Sequence, residues 1–353
     1  MKKELLTASA LAASLVVPGV ASAASMSMSG YSLNGITSND ADSSSDASYS
    51  ATQDSGMSIS VSETTDGGVT ISSGFTLVNE GGTSATESGL TLTFTDGSSL
   101  ELIDAGTAYA GAMASVPSAS GEQGLGATSH NTSSTSLTWG SKTAAVGLDW
   151  NSAADFMGVE GLTFGVSAGL GDDATASTAT INTDSGFSVG ATYVTTAGDS
   201  TVTIGGGMVT SEGNSTNQSN SNSDSVALSA SVVTGDLTVG AGFSTGEGLA
   251  QEGSVSINEI DDVEVINVGA SYVSGDMTFT VSYKDGSVKS AELGTAAGTS
   301  TDSQEVVGAS VDYAVASGVT ATIGYENRDD TLNGAAVPSD SGGSIYLGAK
   351  ISF

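Results

Sequence analysis

One histidine, no cysteine and seven lysines or arginines are all that 353 residues offer for basic, nucleophilic or soft-metal chemistry. His130 stands in a polar stretch with no second His or Cys to complete a metal site, so it reads as a solvated polar residue. Without Cys there is no thiolate nucleophile, no thiolate metal site and no disulfide. No Ser-His-Asp set, carboxylate pair in a pocket or phosphate-cradling glycine loop is assignable, so no catalytic residue is expected. Acidic residues are abundant by contrast, with 39 Asp+Glu and a formal net charge of −32. Asp172-Asp173, Asp261-Asp262 and Asp329-Asp330 are oxygen-donor pairs of a kind that holds Ca²⁺ in loops, although solvated acidic loops are the simpler reading; no other cofactor is expected. A chain this acidic has no attraction for nucleic acid. What remains is electrostatic: the basic Lys284, Arg328 and Lys350 set among carboxylates such as Asp312 and Glu326.

Most of these charges fall on one parity of alternating segments. In the last eleven residues, Ile345, Leu347, Ala349, Ile351 and Phe353 share one face, and Ser344, Tyr346, Gly348, Lys350 and Ser352 share the other. The polar parity upstream carries Thr278, Thr280, Ser282 and Lys284, then Ser310 and Asp312, then Thr320, Thr322 and Glu326. Turns at Thr196–Asp199, Thr234–Asp236, Ser274–Asp276 and Ala316–Gly318 recur at roughly forty residues, each flanked by such segments and separated by long polar loops. Tight hairpins at Thr65–Gly68 and Asp96-Gly97 extend the pattern toward the amino end. The first strand is expected over Ser25–Ile36, with a parity slip at Gly30 that brings Tyr31 and Leu33 onto the apolar face. The strands number sixteen, with short turns at one end and long loops at the other.

Aromatic placement turns this count into a membrane expectation. Tyr193, Tyr272 and Tyr313 precede the short turns, Phe243, Tyr283 and Tyr325 lie near the long loops, and all six share the apolar parity. Two aromatic rings flanking an aliphatic band suit a surface that meets lipid at two interfaces. A closed barrel of this strand number is too wide for side chains to fill, so a polar inner face implies water. At the amino end, Lys2-Lys3, an apolar run over Leu5–Val17 and the Ala21-Ser22-Ala23 box form an export signal expected to be cut after residue 23, leaving a mature chain of 24–353. Its removal takes Lys2, Lys3 and Glu4, leaving a net charge of about −33.

The alternation fails over Asp104–Ser134. Its first part is rich in small residues and is expected to form a short helix before Pro117, with Tyr109 and Met113 as its largest apolar anchors.

Taken together, the export signal, the sixteen strands, the insertion after the fifth strand, the Trp150–Phe164 connection and the terminal Phe353 resemble general diffusion porins of Gram-negative bacteria, particularly the alphaproteobacterial branch. The resemblance implies an all-β, 16-stranded antiparallel outer-membrane barrel, embedded in outer-membrane lipid as a homotrimer and passing small hydrophilic solutes and cations. It implies that residues 104–134 fold inward as the constriction loop, with Asp104, Tyr109, Met113, Pro117 and Glu122 along it. Asp312, Glu326, Lys284 and Lys350 would then stand on the pore wall, and Phe353 would be the signal read by the barrel-assembly machinery. Such porins oppose an acidic loop with a basic cluster. Here Arg328 lies at a loop edge and Lys350 is the placeable basic wall residue, with Lys142 and Lys284 as further candidates. The acidic balance predicts cation selectivity. Two alternatives stand beside this reading: a substrate-specific channel of the same fold, and an acidic secreted surface or adhesin protein without transport.

Overall fold

In the computed structural model the described residues are 24–41, 48–79, 83–102, 107–119, 146–170, 182–214, 223–252, 256–292, 299–331 and 342–353. The sequence-based expectations for residues 1–23, Asp104, Glu122, His130, Lys142 and Asp172-Asp173 fall outside them.

Sixteen strands follow in order: β1 (Ser25–Ala41), β2 (Ser48–Thr64), β3 (Thr70–Asn79), β4 (Thr83–Thr93), β5 (Ser99–Leu102), β6 (Val146–Asn151), β7 (Leu162–Leu170), β8 (Asn182–Ala197), β9 (Ser200–Asn214), β10 (Ser223–Thr234), β11 (Leu237–Glu252), β12 (Ser256–Ser274), β13 (Met277–Glu292), β14 (Thr299–Ala316), β15 (Val319–Thr331) and β16 (Gly342–Ser352). Each pairs antiparallel with its sequence neighbours, and β1 pairs with β16 to close the ring. A closed ring has no free edge, so the ladder groups of every strand find partners without water, as a hydrocarbon surround demands.

The side chains sort by parity as the alternation predicts. On β16, Ile345, Leu347, Ile351 and Phe353 are all more than half exposed on the outer face, while Tyr346 on the opposite face is fully buried. The six aromatics expected at the two interfaces, Tyr193, Phe243, Tyr272, Tyr283, Tyr313 and Tyr325, are all exposed on that same outer face. The polar parity is serine and threonine: Ser167, Ser188, Ser225, Ser229, Ser244, Ser310 and Thr322 are buried there.

Short turns form where glycine supplies the left-handed backbone, for instance Gly235 (φ 55°) and Gly275 (φ 61°). In the turn between β4 and β5, Ser98 donates both its hydroxyl (2.7 Å) and its backbone N–H (2.9 Å) to the Asp96 carboxylate. These bonds, the hydroxyl's foremost, hold the exposed Asp96 carboxyl below its ordinary range.

One expectation is corrected. The β1–β2 register runs without a break from Ser25↔Ser62 to Asn39↔Ser48, so no slip occurs at Gly30. Tyr31 and Leu33 therefore face inward, Leu33 being 6 % exposed. Tyr31 is held there by covering Gly56, where a Cβ would stand 2.5 Å from its ring, and by donating its hydroxyl to Asp54 Oδ2 at 2.7 Å. Aromatics covering cross-strand glycines recur at the closure: a Cβ on Gly30 would meet the Phe353 ring at 2.6 Å.

Phe353 also extends the β1–β16 ladder by two bonds with Gly30, its N–H donating at 3.0 Å and its carbonyl accepting at 2.9 Å. Deleting Phe353 removes the ladder bonds and the ring together at the one seam that joins chain ends. The fraction of barrel that stays folded in unheated SDS, read by gel mobility, is expected to fall clearly. An unchanged folded fraction would contradict this role of the seam.

Candidate functional site

Beyond β5 the chain leaves the wall and returns along its inner face. Thr107 caps a four-residue helix, α1 (Ala108–Gly111), its hydroxyl accepting the Ala110 N–H at 3.3 Å. Small side chains let this backbone lie close to the wall, and wall hydroxyls take up its polar groups. Ser167 on β7 accepts from Ala108 N (2.5 Å) and Ser188 on β8 accepts from Tyr109 N (3.3 Å). Thr192 on β8 donates to the Ala112 carbonyl (2.8 Å), Ser229 on β10 accepts from Ala114 N (2.6 Å), and Ser282 on β13 accepts from Ala119 N (3.0 Å). Tyr346 on β16 donates to the Ala119 carbonyl. Backbone groups of a non-ladder segment thus find several of their partners on the barrel wall.

Wall glycines make the room. A Cβ on Gly207 would come within 3.1 Å of Tyr109 Cα, one on Gly190 within 2.6 Å of Ala112 Cβ, and one on Gly240 within 3.0 Å of the Ser115 carbonyl. At Gly205 and Gly269 it would collide with the carbonyls of Ala112 and Pro117. The segment is pinned by Tyr109, which is fully buried against Val209 and Ala227 and hydrogen-bonds Ser225 Oγ at 2.8 Å; Met113 packs on the same cluster. Gly205→Val is expected to lift the segment off β9 while leaving the ladder intact. The conductance of single Gly205→Val barrels should then differ from that of the unmodified barrel, and an identical conductance would contradict the close fit.

Charged residues gather on the inner face of the neighbouring strands β13 to β16. Lys284 and Arg328 stand in one lateral row, each register partner of Val306 on β14, which places them about 10 Å apart. Glu326 lies one inward position below Arg328. Asp312 is buried and accepts the Thr322 hydroxyl. Lys350, on the adjacent β16, is the register partner of Thr320 toward the short-turn end, its ammonium 5.4 Å from the centre of the Tyr31 ring. Arg328, set aside in the sequence as a loop-edge residue, shares the inward parity of Thr320, Thr322 and Glu326.

Among the described residues, inward carboxylates that escaped sequence reasoning include Asp54 on β2, Glu101 on β5 and Asp149 on β6. Asp149 accepts from Ser167 Oγ (2.8 Å) and Asn151 Nδ2 (3.1 Å), so it supports the serine that holds the start of α1. Glu101 accepts from Thr91 Oγ1 at 3.4 Å. The signal was present at Glu101, which sits between Leu100 and Leu102 and so must take the opposite face.

The likeness to solved structures spans the whole barrel. Salmonella typhi OmpF, solved with daunomycin, superposes with a TM-score of 0.65 at 15 % identity, over 93 % of this chain and 98 % of that one. The outer-membrane channel DcaP of Acinetobacter baumannii gives 0.63 at 12 % identity, over 94 % and 97 %. An anion-selective porin from Comamonas acidovorans gives 0.61 at 13 %, over 94 % and 100 %. No curated protein sequence matches the chain. The family model for Gram-negative porins matches residues 7–333. Closed sixteen-stranded barrel, lipid-type outer face and polar inner face agree with that match, and the chain belongs to the Gram-negative porin family of the outer membrane.

Proposed function

We propose that this porin is a water-filled, cation-preferring channel for passive diffusion of small hydrophilic solutes, narrowed by residues 107–119. The observation that carries the reading is the docking of that segment, along strands from β7 to β16, on the polar face of the wall. In this reading Tyr109, Met113 and Pro117 shape the narrowing without contributing charge, because residues 107–119 contain no ionisable side chain apart from the Tyr109 phenol. The family resemblance further suggests a homotrimer, delivered by a cleaved export signal over residues 1–23.

Selectivity then belongs to the wall. Among the described residues, Asp54, Glu101, Asp149, Asp312 and Glu326 are at inward positions against Lys284, Arg328 and Lys350, and Asp302 and Asp330 share that parity by register. β5 and β13 lie eight strands apart in a ring of sixteen, so Glu101 and Lys284 occupy diametrically opposed strands. A transverse field would run between wall and wall instead of between loop and wall.

Proteoliposome swelling with neutral sugars of increasing size tests passive diffusion. Entry rates should fall smoothly with solute size and rise in proportion to concentration. Saturation by one sugar at millimolar concentration would favour the substrate-specific channel, and no swelling by a folded barrel would favour a surface protein without transport.

A further inference from the structure

The apolar belt around the barrel is uneven. Between β11 and β15 it sinks into a depression of about 360 Å³, floored by Val268, Ala270, Val281, Val307 and Ala309. Tyr283 and Tyr325 line it at its long-loop end. Neighbouring outward positions on the same strands carry the larger Phe243, Ile266 and Phe279, so the hollow comes from a local choice of small residues.

Immediately above the hollow the outer face turns acidic. Asp285 follows Tyr283 by two residues and Glu305 precedes Val307 by two, a step of about 7 Å along each strand. Register places Asp285 directly beside Glu305, and Glu305 directly beside Asp329, on three adjacent strands. Like charges in directly opposed cross-strand positions repel, so Asp285 beside Glu305 is a pair that a nearby positive charge would stabilise.

We propose that the hollow is a binding site for a membrane lipid whose head group carries a net positive ammonium charge. One acyl chain lies over Val281, Val307 and Ala309, flanked by Tyr283 and Tyr325, and the ammonium sits within reach of Asp285 and Glu305. The apolar volume takes the chain, the phenol rings sit at the depth where chain gives way to head group, and the carboxylate row selects the sign of charge. The site is on the outside of the barrel and is independent of what passes through it.

The test uses the intact barrel in detergent with an equimolar mixture of two dioleoyl lipids, one bearing a trimethylammonium and one a phosphoglycerol head group, and counts retained lipids by native mass spectrometry. The unmodified barrel is expected to retain the cationic lipid over the anionic one by roughly fivefold. Asp285→Asn with Glu305→Gln should abolish the preference, and Ala309→Trp, which fills the hollow, should lower retention of the cationic lipid; each variant's folding is checked by unheated gel mobility. Equal retention of both lipids by the unmodified barrel, or a preference that survives neutralising Asp285 and Glu305, would overturn the proposal. So would a preference for the anionic lipid that appears on adding Ca²⁺, which would assign the carboxylate row to a bridging divalent ion.

Discussion

Removal of residues 108–119, with the flanking chain rejoined, is expected to raise single-channel conductance by roughly twofold and to admit larger sugars in swelling assays, as a segment proposed to narrow the pore requires. The barrel should survive the change. Its ladder runs unbroken around the ring without the segment, which is held to the wall by hydroxyl-to-backbone bonds from Ser167, Ser188, Ser229 and Ser282 together with the Tyr109 cluster. Those serines would face water after the deletion, where they find new partners at little cost. A deletion variant that folds, shifts on heating and conducts as before would show that the segment does not limit flow.

Neutralising Asp54 and Glu101 together, as Asp54→Asn and Glu101→Gln, is expected to lower the cation-to-anion permeability ratio by roughly twofold or more at low salt. Both carboxylates are half-buried, and their place on the ring singles them out. Asp149 is buried beside α1 and Asp312 is buried with Thr322, whereas Asp54 and Glu101 stand on strands that the described part of the segment does not cover. Outward-facing carboxylates toward the long-loop end, among them Asp224, Glu247 and Glu264, add a negative mouth. With a Debye length of about 8 Å at physiological salt, charges at the wall reach permeating ions more strongly than those at the mouth. The reversal potential in a tenfold KCl gradient should therefore move toward zero in the double variant and move the opposite way in Lys284→Gln. No movement in either would place the selectivity in the outer loops.

The barrel was legible because lipid outside and water inside impose a period of two on every strand, and the repeat of turn glycines marks where strands reverse. Parity near the seam was not, because Tyr31 and Leu33 look like outer-face residues, and only the β1–β2 register shows that they turn inward to cover Gly56 and support Asp54. The place where the inserted segment lies was half legible. Glycines at inward positions, such as Gly205, Gly207, Gly240 and Gly269, mark where another backbone approaches, but the same glycines also pass for turn-adjacent or packing residues. The wall serines that hold the segment carry no signal at all, since serine is the common inward residue everywhere in the ring. Lys284 and Arg328 required the lateral register of three strands, which no single segment contains.

Recording from single barrels in a planar bilayer tests the central claim most directly. An open aqueous path beside residues 107–119 predicts stepwise currents that are linear in voltage and grow in proportion to KCl concentration. A barrel that is inserted and folded by gel mobility but electrically silent, or whose conductance saturates at low KCl, would contradict a water-filled passive channel.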